Sequence, residues 1–215
     1  MRSPIAAEGL PFIAGFVGVA VAGEIFCPSW FGSLLLWVLS GWCVWFFRDP
    51  ERQPPPGEGL VIAPADGKVI AIEEVAAAPL SGKPARKCSI FMNVFSVHVN
   101  RCPISGQVTD LAYHPGRFFN AALDKASLEN ERMAILVTAP DGVAITFVQV
   151  AGLIARRIIC RLQVGEGVVQ GDRFGLIRFG SRVDVYLPLS AKLAVMLGDQ
   201  TRAGETVVAQ LESPQ

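Results

Sequence analysis

The sequence has no surplus of charge of either sign. Nineteen Lys and Arg are balanced by nineteen Asp and Glu, giving a formal net charge of zero. It therefore lacks the basic footprint that binding a phosphate backbone requires, and no nucleic-acid partner is expected. Metal ligands are equally scarce. The two histidines, His98 and His114, lie far along the chain from any Cys or carboxylate cluster, and the five cysteines, Cys27, Cys43, Cys88, Cys102 and Cys160, include no Cys-x-x-Cys pair. No zinc motif follows from that spacing, and no metal is expected. An odd number of cysteines cannot all be bridged within one chain, which favours a reducing compartment over a disulfide framework. Charged residues are 18% of the total, and two stretches near the N-terminus have none.

Gly9 to Gly23 and Trp30 to Phe47 are uncharged runs of about 15 and about 18 residues, near the length that crosses a bilayer, separated by Glu24 and a turn around Pro28. The mean hydropathy of +0.41 is high for a soluble protein and points to a lipid-facing part. The second run is the stronger candidate. Trp30, Trp37, Trp42 and Trp45 belong to the class favoured at membrane interfaces, and Arg48 closes the run. With Arg2 at one end and Arg48 and Arg52 at the other, residues 1–48 are expected to form a helical hairpin. Both of its ends would be cytoplasmic, anchoring the rest of the chain on the cytoplasmic face of the cell membrane. A cleaved signal peptide and a buried core hairpin are the alternatives; Glu8 ahead of the apolar stretch and the second apolar run after it disfavour the signal peptide.

Residues 49–59, Asp-Pro-Glu-Arg-Gln-Pro-Pro-Pro-Gly-Glu-Gly, cannot sustain a helix or an inner strand and form a linker. From 60 to 215 the chain shows short β-branched runs with glycine punctuation: Lys68–Val75, Cys88–Val99, Gln107–His114, Met133–Thr138 and Val143–Val150. Leu153–Leu162 fits a helix or a strand equally. The expected class is mainly β within an α+β chain, a compact β barrel or sandwich. Two Gly-Asp turns, at Val169–Gly175 and Leu197–Glu205, together with Ala65-Asp66-Gly67-Lys68-Val69, resemble the barrel-sandwich hybrid of biotinyl and lipoyl carriers. The carrier's modified lysine tip is missing, so the architecture is expected without the swinging arm.

Phe179-Gly180-Ser181 follows one of these turns and leads into Ser181-Arg182-Val183-Asp184-Val185-Tyr186-Leu187-Pro188. The tripeptide alone carries little information, because Phe31-Gly32-Ser33 repeats it inside the second apolar run. Other landmarks give it context: Phe47-Arg48-Asp49-Pro50, Ala63-Pro64-Ala65-Asp66-Gly67, His98-Val99-Asn100-Arg101-Cys102-Pro103, Tyr113-His114-Pro115-Gly116-Arg117-Phe118, then Asn120, Asp124-Lys125 and Asn130-Glu131-Arg132. In this order the set resembles the phosphatidylserine decarboxylases, in particular their short bacterial and archaeal-type branch, over nearly the whole chain.

That resemblance implies a zymogen of phospholipid biosynthesis that cuts itself between Gly180 and Ser181. The products would be a large subunit, 1–180, and a small subunit, 181–215, whose first residue becomes a covalent pyruvoyl group. Phosphatidylserine would bind that group through a Schiff base and lose CO2 to give phosphatidylethanolamine at a lipid surface. Serine is a weak nucleophile and needs a base that a third group orients, and Asp66, His98 and Ser181 supply such a set. His98 is also the expected acid for reprotonating the product. Arg101 replaces a second histidine found in the longer bacterial enzymes. Always protonated, it cannot serve as a base, but it suits a carboxylate or phosphate of the substrate. Phe118 and Phe119, in the polar loop Gly116–Arg132, are candidates for touching the lipid or its headgroup.

Taken singly, each residue has a structural reading: Asp66 as a β-turn residue, His98 as a core histidine, Ser181 as an ordinary strand residue, His114 as part of a turn. Two other functions fit parts of the pattern. A membrane-tethered, non-catalytic barrel-sandwich carrier or adaptor would keep an intact chain, and a pyruvoyl decarboxylase of a soluble amino acid would leave the apolar N-terminus without purpose.

Overall fold

The computed structural model describes residues 3–26, 29–122, 129–152, 157–178 and 180–212. The chain divides into two units, Met1–Glu51 and Arg52–Gln215.

In the first unit a 3-10 turn, Ala7–Gly9, runs into helix α1, Leu10–Phe26, and a second helix, α2, spans Trp30–Phe46. Pro11 falls in the first turn of α1, where no intrahelical amide is lost. Ser29 caps α2 by accepting a hydrogen bond from Gly32 N at 3.4 Å. Main-chain bonds from Ala6 N to Phe47 O (2.8 Å) and from Asp49 N to Pro4 O (2.7 Å) tie the base of the pair shut. Beside it, Arg48 stacks over the Trp45 ring at 4.2 Å.

The two helices differ from expectation in one respect. Glu24 does not separate the apolar runs but sits inside α1, its Oε1 accepting a 2.8 Å hydrogen bond from the Trp37 indole of α2. With its carboxylate given a partner, α1 continues to Phe26. Ala7–Phe26 becomes one 20-residue apolar span with mean hydropathy 1.8, while α2 stops at 17 residues. At a rise of about 1.5 Å per residue the first reaches about 30 Å and the second about 25 Å. Among the described residues the first helix, and not the tryptophan-rich second, is thus the one long and apolar enough, by length and composition, to cross a membrane. Both expose large apolar side chains, among them Ile25, Phe26, Trp30, Phe31 and Val38. The expected turn at Pro28 lies outside the described residues.

Among the described residues the second unit has fourteen strands: β1 (Leu60–Ile62), β2 (Gly67–Val75), β3 (Ala85–Met92), β4 (Val99–Arg101), β5 (Gly106–His114), β6 (Arg132–Thr138), β7 (Ala144–Ala151), β8 (Ile158–Cys160), β9 (Gly167–Val168), β10 (Arg173–Ile177), β11 (Ser181–Leu187), β12 (Lys192–Leu193), β13 (Gln200–Thr201) and β14 (Val207–Gln210). Eight form one antiparallel sheet in the order β13-β2-β3-β11-β7-β6-β5-β9. Two three-stranded sheets, β4-β10-β8 and β1-β14-β12, complete the unit. The chain is therefore mainly β with an N-terminal helical pair, as its sequence indicates.

The main core is shared by one face of the large sheet and the small sheets. Phe147 of β7 meets Phe174 of β10 at 5.0 Å between ring centres, and Met92, Ala151 and Val183 are buried in the same cluster. Residues alternating with these point to the opposite face, where Val148, Val150 and Tyr186 form a second apolar cluster. The two Gly-Asp turns act alike. Cys102 exchanges main-chain hydrogen bonds with Gly171 and Asp172, and Val69 does the same with Gly198 and Asp199, at 2.8–2.9 Å.

The run Cys88–Val99 is interrupted. Asn93 Oδ1 accepts from Phe95 N at 2.8 Å, and this turn hands the chain from β3 in the large sheet to β4 in a small one. In Leu153–Leu162, Ile158–Cys160 form a strand, β8; residues 153–156 lie outside the described residues.

Candidate active site

The chain passes from the small sheet to the large one between Ile177, the end of β10, and Ser181, the start of β11. Ser181 is the first rung of a strand paired on both sides, with Met92 of β3 and with Ala151 of β7. Its face is the core face. The residue is wholly buried, and Oγ has no hydrogen-bond partner among the described residues. A buried hydroxyl without a partner costs on the order of 1–3 kcal/mol, so its presence asks for a role.

Gly180 precedes it with φ of +66°, a conformation that L side chains rarely adopt. Its carbonyl packs against Gly152, just beyond β7. A Cβ on Gly152 would lie 1.9 Å from the Gly180 oxygen, and the Ala121 methyl closes the same space at 3.4 Å. The bond expected to be cut is thus held between two glycines and a buried serine.

His98, also wholly buried, comes just before β4, and its main-chain oxygen accepts from Ile177 N at 3.4 Å. It therefore stands at the same crossing from β10 to β11. Its Nδ1 lies 2.9 Å from the carbonyl of Ser96. A carbonyl only accepts, so Nδ1 is the donor here, and whenever the ring is neutral its lone pair is on Nε2, the arrangement a general base needs.

Asp66 is placed differently. It immediately precedes β2, two strands across from β11, about 10 Å at the usual strand spacing. Its carboxylate is bound by Arg52 at 3.0 Å and by the amide of Ala203 at 2.7 Å; neither bond leads to His98 or Ser181. Arg101, three residues beyond His98 and nearly buried, donates from Nη1 to the carbonyl of Gly171 at 2.9 Å. It packs against Gly204, on the turn side of its strand. The structure thus sets Gly180 directly before Ser181 and places the main chain of His98 against Ile177 at the end of β10, while Asp66 is bound by Arg52 and Ala203 and Arg101 by Gly171.

Phe118 packs against the main core. Phe119 is held through its main chain by Asn130. The Asn130 amide group donates to Phe119 O (2.8 Å) and Ala151 O (2.7 Å), and its Oδ1 accepts from Phe119 N (3.0 Å). The loop is thereby pinned to the end of β7, next to Ser181. Residues 123–128 of the expected loop, and Phe179, lie outside the described residues.

A row of polar groups runs beside the serine on its own face. Gln149 donates to Asn100 Oδ1 at 2.8 Å, and Asn100 reaches Met92 Sδ at 3.6 Å. Buried thiols are not competing nucleophiles: burial, reinforced by the charge of Asp184, pushes Cys88 up to about 12, and burial does the same to Cys102. Among the described residues no three His, Cys, Asp or Glu side chains gather as a metal site.

The sequence profile of phosphatidylserine decarboxylase matches residues 39–209. The chain belongs to the phosphatidylserine decarboxylase family. It is 55% identical over 210 residues to a phosphatidylserine decarboxylase proenzyme of Magnetococcus marinus, covering 97% of this chain and 95% of that one. It is 51% identical to the proenzyme of Paramagnetospirillum magneticum (98% and 88% covered) and 50% identical to that of Pelobacter propionicus (98% of both).

For a phosphatidylserine decarboxylase family member, the sequence reveals Ser181 and His98 as motif residues. It does not reveal the contact of Gly152 with the Gly180 carbonyl or the bonds by which Asn130 holds Phe119 and Ala151. Asn130 stands in a recognisable Asn-Glu-Arg motif, which is a signal for it, whereas Gly152 matters only through a contact 28 residues away and has none.

Proposed function

We propose that the chain is a self-processing, pyruvoyl-dependent decarboxylase that converts phosphatidylserine to phosphatidylethanolamine at a membrane. The observation that carries this reading is Ser181: a hydroxyl without a partner among the described residues, fully buried in the first rung of a central strand, directly after a left-handed Gly180 whose carbonyl rests on Gly152. The family membership and the word proenzyme in the relatives' names support it further.

The steps follow from the residues. His98 Nε2 takes the proton of Ser181 Oγ, which attacks the Gly180 carbonyl; the peptide bond gives way to an ester, and the amine of residue 181 is freed. Loss of the Cα proton of 181 expels the Gly180 carboxylate and leaves dehydroalanine. That residue tautomerises and takes up water, losing ammonia, to end as a pyruvoyl group. The chain is then two subunits, 1–180 and 181–215. The residues fit such a group in that position 181 is wholly buried, its hydroxyl has no hydrogen-bond partner among the described residues, and the paired Met92 and Ala151 are apolar. When formed, the ketone supplies an electrophile for the substrate's amine and a sink for the electrons left as CO2 departs. His98 then returns a proton to the carbon that has lost CO2.

Asp66 is assigned to the electrostatics of this end of the sheet through Arg52, and Arg101 to the framework through Gly171. Phe118 and Phe119 are assigned to the substrate side. The helical pair would dock on lipid, and Arg48 and Arg52 favour the cytoplasmic face for the β unit.

The test is release of CO2 from phosphatidylserine vesicles by the purified protein. Activity is expected to vanish in Ser181→Ala and after treatment with a hydrazine, which traps ketones. Decarboxylation that persists in either case contradicts the proposal.

A further inference from the structure

We infer that Arg182, oriented by Asp184, is the positioning residue that keeps position 181 in its strand after the bond to Gly180 is cut. This rests on the cleavage proposed above and goes beyond it.

Before cleavage, position 181 is restrained from both directions along the chain. Cleavage removes one restraint and turns the first rung of β11 into a chain terminus, where strands fray most easily. What remains is the pairing with Met92 and Ala151 and whatever holds the next residue. The strand's two-residue period sends Arg182 to the face opposite Ser181. There it is 2% exposed, with Asp184 at 1%. Nη2 donates to Asp184 Oδ2 at 3.1 Å, and Nε stands 2.8 Å from Oδ1. Nη1 donates to the main-chain oxygen of Ala121 at 2.9 Å.

A buried ion pair is a poor stabiliser compared with apolar side chains of similar volume, so its presence one residue past the scissile bond calls for a different explanation. Its connections supply one. Ala121 lies in the large subunit, against Gly152 and the Gly180 carbonyl, and its loop is pinned through Asn130 to Ala151 O. Ala151 is the residue paired with Ser181. After cleavage the bond from Arg182 to Ala121 joins the new end of the small subunit to the wall of the site. Asp184, two residues along the same strand, fixes the plane of the guanidinium so that Nη1 points at Ala121.

The decisive comparison separates cutting from turnover. In Arg182→Met combined with Asp184→Asn, neither partner is left as an orphaned buried charge. The uncut chain still holds position 181 through Gly180, so cleavage at 180/181 is expected to proceed within a few-fold of the parent rate, while kcat per cut chain falls by about tenfold or more with little change in KM. Amide hydrogen exchange at 182–184 should rise in the cut double variant and stay slow in the same variant blocked by Ser181→Ala. Arg182→Lys, which keeps the charge but loses the fork, serves as the milder variant should the double one fold poorly. It is expected to cut normally and turn over less per cut chain.

Normal turnover per cut chain in these variants overturns the inference alone. A parallel fall in cutting and turnover, the mark of a merely structural pair, overturns it as well. A parent that is never cut overturns the cleavage proposal and this inference together.

Discussion

Gly152 carries no side chain where the Gly180 carbonyl comes to rest: a methyl group there would approach the oxygen to 1.9 Å and the carbon to 2.9 Å. The contact fixes the orientation of the carbonyl that Ser181 would attack in the proposed cleavage. Gly152→Ala is therefore expected to fold and to accumulate uncut, with cleavage slowed by about tenfold or more, because misplacing a reacting carbonyl by a fraction of an ångström erodes the alignment that an intramolecular attack depends on. The time course of cutting on a denaturing gel measures it. A Gly152→Ala chain that cuts at the parent rate would show that the contact is incidental.

Asn130 is wholly buried and uses both amide hydrogens and its oxygen. Replacing it with alanine strips hydrogen bonds from two main-chain carbonyls and one amide. The expected loss is about 1–3 kcal/mol for each group left dry, visible as a lower urea midpoint. An unchanged midpoint would mean that the loop rearranges without penalty.

Cys88 is protonated well past neutrality, its thiol raised to about 12 chiefly by burial and secondarily by Asp184; Cys102 is raised to about 12 by burial, with Asp172 contributing. Unfolding frees these thiols to ionise near their ordinary value of 9.0. From about pH 9 to pH 12 the unfolded chain thus binds fewer protons than the folded one, and stability must fall as pH rises, by up to about 1.4 kcal/mol per pH unit for each thiol. Below pH 9 the thiols contribute no slope. Urea midpoints of the parent and of Cys88→Ala between pH 8 and pH 11 test this: the variant should lose less stability per unit than the parent. Equal slopes contradict it.

The tripeptide Phe-Gly-Ser occurs twice, and the structure separates the two copies. Gly32 and Ser33 lie within α2, where the main-chain carbonyl is engaged in the helix, whereas Gly180 is left-handed and opens a strand. Ser33→Ala is expected to leave cutting at 180/181 unaltered, with N-terminal sequencing as the check. A change in the cut would contradict the assignment to Ser181.

The same pair shows how far the sequence reaches. The strand runs were legible from alternating β-branched residues, and the Gly-Asp turns from their composition, because both are local properties. The break between Met92 and Val99 depended on one asparagine side chain folding back on Phe95 N. The continuation of α1 past Glu24 depended on a partner, Trp37, 13 residues away. Neither is visible from periodicity. At the site, the motif order pointed to Ser181 and His98, but the partner of Asp66 proved to be Arg52, read from the sequence as part of a linker. Gly152 and Arg182 gain their meaning from strand register, which no local pattern specifies.

The central claim is that the chain breaks between Gly180 and Ser181 and leaves a ketone. The most direct measurement is the intact mass of the purified protein under denaturing conditions. The account predicts two chains in place of the 23.1 kDa precursor, the smaller one starting at position 181 without a free amine. Their masses should sum to about 1 Da more than the precursor, since water enters and ammonia leaves. A single chain at the precursor mass, or two chains summing to about 18 Da more as plain hydrolysis of a peptide bond gives, would contradict it.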